Sequence, residues 1–212
     1  MRKILPLLFI AIVIYSCGSN DKKTNPVAEN PAIKIDSTLI TDSSWGAVTT
    51  TTDLAALQNL FGPGNVKDER ICGPECADSI DVTIVYPGKD NEITVYWKDS
   101  LYHKTISMIE SYAPNSPYRT DKGLKVGSSF DELLKINGKK IIFSGFDWDY
   151  GGIIQDYGTG ALQNSNINYR LGLTEDAGSE LSGDSEFNSD MPVVKKSLEK
   201  IKIVHISLSL SK

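Results

Sequence analysis

Three groups of residues in this chain combine side-chain types that could do chemistry. The densest is Gly145-Phe-Asp-Trp-Asp-Tyr-Gly-Gly152. Read as the end of a strand running from Lys140 to Tyr150, it puts Phe146, Trp148 and Tyr150 on one face and Asp147 and Asp149 on the other. The two carboxylates would then stand about 6.5–7 Å apart. That falls inside the roughly 6.5–9.5 Å that inverting glycoside hydrolysis keeps between its acid and its base. Such a pair works when one carboxyl has a raised pKa and holds its proton. Two carboxylates on one strand rarely flank a bond from opposite sides, however, and aspartates alternating with aromatics also describe one wet face and one buried face. The segment therefore carries two expectations. One is a glycan-directed hydrolase using Asp147 and Asp149; the other is a binding patch built on Trp148 and Tyr150.

The second group is Cys72-Gly-Pro-Glu-Cys76. Three residues separate the thiols, so the two-residue spacing of a dithiol redox motif is missing, and sheet-like sequence flanks it on both sides. A structural disulfide across a tight turn is the expectation, worth ~2 kcal/mol for so short a loop. Zinc would need two more ligands, and the histidines are limited to His103, in what reads as an exposed turn, and His205. The third group is acidic. Between Thr174 and Asp190 there are Glu175, Asp176, Glu180, Asp184, Glu186 and Asp190 with no Lys or Arg. Within it Asp184, Glu186, Asn188 and Asp190 alternate oxygen ligands, a spacing that could wrap a calcium ion or simply form a solvated loop. An EF-hand reading from Asp147 fails, because Gly151 and Gly158 occupy ligand positions. Neither a glycine-rich phosphate loop nor a nucleophile elbow is present, and no cofactor is implied. The balance favours a non-enzymatic binding domain over an enzyme.

The elements that must position these groups are mostly sheet, given nine Tyr, six Phe and three Trp among many Thr, Val and Ile. Two short helices interrupt them. One runs from Asp53 as cap through Leu54, Leu57 and Phe61 to a stop at Gly62-Pro63-Gly64. The other runs from Ser129, with Glu132 completing a capping box, through Phe130, Leu133 and Leu134 to Asn137-Gly138. Asp190-Met-Pro192 suggests a further helical turn. The helices align residue by residue: Leu54, Leu57, Leu60 and Gly62 with Phe130, Leu133, Ile136 and Gly138. Strand-like runs follow each one, and the last places Val204, Ile206, Leu208 and Leu210 on one face by alternation. The fold class expected is α+β, with two similar helix-then-antiparallel-sheet modules, about 37–120 and 121–212, free to share one sheet or core. This layout resembles the β-lactamase inhibitory protein fold and related small outer-membrane lipoprotein domains.

The chain opens with Arg2 and Lys3, followed by an uncharged run from Ile4 to Ser16, too short to span a bilayer and laid out like a secretory signal. It ends Val13-Ile14-Tyr15-Ser16-Cys17-Gly18. Here the chain resembles bacterial lipoproteins, with an apolar residue three places before the cysteine and a small one directly before it. The resemblance implies cleavage after residue 16 and diacylglycerol on the Cys17 sulfur. Gly18, where an Asp would hold such proteins back, implies the outer membrane. With Cys17 acylated, Cys72 and Cys76 remain as a pair in an oxidising space. Residues 17–36 read as the lipidated cysteine and a flexible polar tether, and 37–212 as the globular domain. The formal charge is −5, and loss of Arg2 and Lys3 makes it more acidic. Acid excess argues against a nucleic-acid partner. The partners expected are the membrane, through the lipid, and an envelope protein or glycan.

Overall fold

The computed structural model describes residues 36–73, 76–99, 101–174 and 179–210. The stretches read from sequence as an export signal (1–16), as the lipidated Cys17 and as a tether up to residue 35 lie outside them, as do Glu175 and Asp176. The elements in order are β1 (Leu39–Thr41), β2 (Ser44–Trp45), β3 (Val48–Thr49), α1 (Leu54–Phe61), β4 (Val66–Cys72), β5 (Ser79–Val85), β6 (Ile93–Trp97), β7 (Ile106–Ser111) and β8 (Arg119–Thr120). There follow α2 (Phe130–Asn137), β9 (Ile142–Ser144), β10 (Ile154–Asp156), β11 (Ile167–Leu173), β12 (Glu186–Asn188), α3 (Pro192–Lys196) and β13 (Ile201–Ser209).

Both long helices form where their caps dictate. The Asp53 carboxylate accepts from the Ala56 N–H at 2.9 Å, and Leu57 faces inward. Ser129 and Glu132 satisfy each other's backbone donors, Gly138 closes α2 in the left-handed region, and Phe130 and Leu133 are fully buried. The main sheet has six antiparallel strands in the order β11-β13-β7-β6-β5-β4. Its core face carries Ile93, Val95 and Trp97, then Ile106 and Ile109, then Ile206 and Leu208, then Ile167, Tyr169 and Leu171. These join one continuous core with residues of both helices, of the small sheet β3-β2-β1-β8, and of the small sheet β10-β9-β12.

The two-module expectation is overturned. The fold is β-rich and sandwich-like: the described residues form three sheets and three short helices, with no repeated helix-then-sheet unit among them. The reason lies in β13. Residues 206–209 of this nine-residue strand pair with β7 of the chain's first half on one side, and residues 201–208, apart from Val204, pair with β11 on the other. The second half therefore cannot close a sheet of its own, and β9 sits instead between β10 and the short β12. The likeness between α1 and α2 reflects capping and apolar spacing that any short amphipathic helix shares. Strands β1, β2, β3 and β8 have two or three residues each, too few to show alternation.

Two local expectations are also settled. Cys72 and Cys76 form a disulfide, closing the β4–β5 turn with Cα atoms 4.8 Å apart. His103 is not on an exposed turn: its ring stacks on Trp97 at 5.0 Å and its carbonyl accepts the Leu54 N–H at the start of α1. Four tyrosines bear on the stability of the core. Burial pushes the Tyr118 phenol up to about 12, and pushes Tyr96, Tyr157 and Tyr169 up as well. A phenol with a raised folded-state pKa contributes stability that is whole below the unfolded value, about 10, and lost as pH climbs through the folded value. Urea melts should therefore show unfolding free energy falling from about pH 10 upward, less steeply in Tyr118→Phe. An unchanged midpoint up to pH 12 would count against the packing described.

Candidate functional site

The aspartate–aromatic segment does not continue β9 as a strand. β9 stops at Ser144, and residues 145–152 fold into a compact turn. Asp147 adopts φ +64, the Gly151 N–H donates to the Trp148 carbonyl at 2.8 Å, and the Gly152 N–H reaches back to Ser144 at 3.0 Å. Glycine is required at 152 because a Cβ there would lie 1.9 Å from the Leu171 carbonyl oxygen. Phe146 alone points into the core. Trp148 and Tyr150 are exposed, their rings edge-to-face at 5.3 Å. Asp147 and Asp149 are exposed too, but not as a facing pair on one strand. The Asp147 carboxylate accepts from the Ser182 hydroxyl, and Asp149 is held through its main-chain carbonyl. The geometry that suggested a hydrolytic acid and base is absent.

Arg170 holds this turn in place. It lies on the outer face of β11, opposite His205, and its guanidinium donates to the Gly151 carbonyl at 2.6 Å and the Asp149 carbonyl at 2.7 Å. Next to it the ladder slips: Arg170 pairs with His205 and Leu171 with Ile203, so Val204 is an unpaired bulge residue. Alternation had placed Val204 with the core residues. The bulge turns it outward, 38% exposed, and moves Ile203 into the core instead. Val204 lies over Gly172, where a Cβ would sit 2.5 Å from its Cγ1.

Between the turn, the bulge and Tyr112 runs a groove made of two adjoining hollows of about 190 and 220 Å³. Both are lined by Tyr112, Gly172, Leu173 and Val204. The first adds Pro114, Val126, Ile203 and Lys202, and the second adds Trp148, Asp147 and Arg170. Tyr150 only supports Trp148 from the side.

A buried polar chain lies beneath Tyr112. Its ring stacks on His205 at 4.0 Å, and burial and the Glu110 charge raise its phenol while Arg170 opposes them. His205 Nε2 is 3.0 Å from one Glu110 oxygen, and the Tyr96 hydroxyl donates to the other at 2.6 Å. Burial also raises the Tyr96 phenol, as does its bond to Glu110. Glu110 and His205 are only 6% and 9% exposed. Sequence reasoning missed Glu110, Tyr112, Arg170 and Lys202. One available signal was Gly172, a glycine inside an otherwise bulky strand, which marks a bulge or a close approach.

The acidic run does not gather into a cage. Glu186 and Asn188 belong to β12; the Asn188 side-chain oxygen accepts from the Asp190 N–H, and Asp190 pairs with Lys195 at 3.4 Å, while Asp184 is exposed. Among the described residues, no three His, Cys, Asp or Glu side chains are placed to hold a metal ion.

Removing one member of a buried hydrogen-bonded pair leaves the other unsatisfied, at a cost of about 1–3 kcal/mol. Glu110→Ala should therefore destabilise the domain by about that much in urea unfolding. The double variant Glu110→Leu/His205→Phe should lose less than the single one. A single variant costing under about 1 kcal/mol would show that the chain contributes nothing.

No protein-family model matches the chain, and no curated protein matches it. Among solved structures it is similar to the uncharacterized protein yfeY from Escherichia coli, at 15% identity over 81% of this chain and 99% of that one, with a TM-score of 0.45.

Proposed function

We propose that this chain is an envelope lipoprotein, anchored in the outer membrane by acyl chains on Cys17, whose folded part is a non-enzymatic binding domain. The observation that carries the binding role is the groove. Trp148, Tyr112 and Val204 are all exposed along it, although the protein has a full core in which to bury such side chains. Its walls are mostly aliphatic and aromatic, so its ligand presents an apolar part. The anchor rests on the export signal and the residues around Cys17, and the Cys72–Cys76 disulfide suits an oxidising compartment.

Two measurements test the two halves. Intact mass of protein extracted from membranes should correspond to a chain beginning at Cys17 and carrying acyl groups, and Cys17→Ser should abolish the acyl mass. A lipid-free protein that keeps Met1 sinks the anchor. For the groove, Trp148 is a built-in reporter, 38% exposed against 2% for Trp45 and 8% for Trp97. With the lipidated protein in phosphatidylcholine nanodiscs, bromododecanol should quench Trp148 emission several-fold more strongly than in Tyr112→Ala/Val204→Asp. Equal quenching in both would remove the groove as a binding surface.

A further inference from the structure

From the charges around the groove we infer that its ligand is an anionic amphiphile: an unbranched apolar chain ending in a carboxylate or similar acid. This rests on the groove being a binding surface and names what it takes. The protein is acidic overall, yet the groove's lining is cationic, with Arg170 and Lys202 against Asp147. Asp147 stands at the Trp148 end, with its carboxylate already bonded by Ser182. Two of Arg170's five N–H donors go to main-chain carbonyls and the Tyr112 phenol lies beside it, and those neutral groups leave its charge uncompensated. Neither Arg170 nor Lys202 has a carboxylate partner among the described residues.

The strand register sets their spacing. Leu171 faces the core, so Arg170 and Gly172 both face outward, two residues and about 7 Å apart along β11. Lys202 is the cross-strand partner of Gly172. The two cations thus lie on either side of Val204, which covers Gly172, and an apolar hollow opens beside it against Pro114, Val126 and Ile203. An acid placed between the cations gains charge-assisted hydrogen bonds, and its chain gains burial. A cationic or neutral amphiphile would gain the burial alone.

The test compares three brominated probes of equal chain length at pH 8: bromododecanoate, bromododecanol and bromododecyltrimethylammonium. Each is titrated into the lipidated protein in phosphatidylcholine nanodiscs, and Trp148 quenching is read against Trp148→Phe. The carboxylate should half-quench at about one-tenth the concentration the alcohol needs, and Lys202→Glu should erase that advantage. Lys202 is exposed, so this change does not threaten folding. Should the alcohol or the ammonium probe quench as well as the carboxylate, the inference falls while the groove remains a binding surface. Should no probe quench more than it does in Tyr112→Ala/Val204→Asp, the inference and the binding surface fall together.

Discussion

The placement of β13 between β7 and β11 is the constraint on which the other features depend. Its apolar residues bind the two halves of the chain into a single sheet, with Leu208 opposite both Ile109 and Ile167 and Ile206 opposite Tyr169. A strand held on both sides cannot slip by one residue without turning its whole core face to water. The extra residue at Val204 must therefore be absorbed locally, and a bulge is how it is absorbed. Ile201 and Ile203 face the core before the bulge, and Ile206 and Leu208 after it. The misfit emerges as one valine on the outer face. Gly172 beneath it and the hollows beside it follow from that local adjustment.

The same register brings charged and polar groups together on the outer face. Glu110 of β7 and His205 of β13 would each be costly to bury alone. They lie close enough to satisfy one another, Tyr96 completes the carboxylate, and Tyr112 caps the stack. Arg170 plays a different part. By holding two carbonyls of the 145–152 turn, it fixes the position of Trp148 without a carboxylate and so keeps its charge available.

The sequence was most legible where structure is local. The caps of α1 and α2 and the Cys72–Cys76 turn depend on residues close in the chain, and reasoning from spacing placed them correctly. It failed where partners are distant. Which strands β13 joins depends on contacts with residues as far back as Met108, and no alternation pattern reports that. It failed again at 145–152, where alternating residues looked like a strand. The glycines at 145, 151 and 152 permit close backbone contacts that a strand would not make, and Asp147 tolerates the left-handed region. Trp148 was singled out for a face it does not share, yet it does line the groove. Glu110 and Arg170 read as ordinary charges on a strand until their neighbours across the sheet are known.

Small size need not make the groove weak. Binding usually loses affinity to the ordering of side chains, about 0.5–1.5 kcal/mol for each one immobilised. Here the lining is already ordered. The Trp148 indole donates to the Gly145 carbonyl of its own turn, the Tyr112 ring lies on His205, and Val204 is held by the bulge. Of the groups a ligand would touch, Lys202 is the long side chain without a partner among the described residues, so most of its ordering cost would fall at that amine. An apolar chain entering beside Val204 would meet surfaces already set for it. Selectivity would then come from the charged end of the ligand, where Arg170 is fixed and Lys202 can adjust.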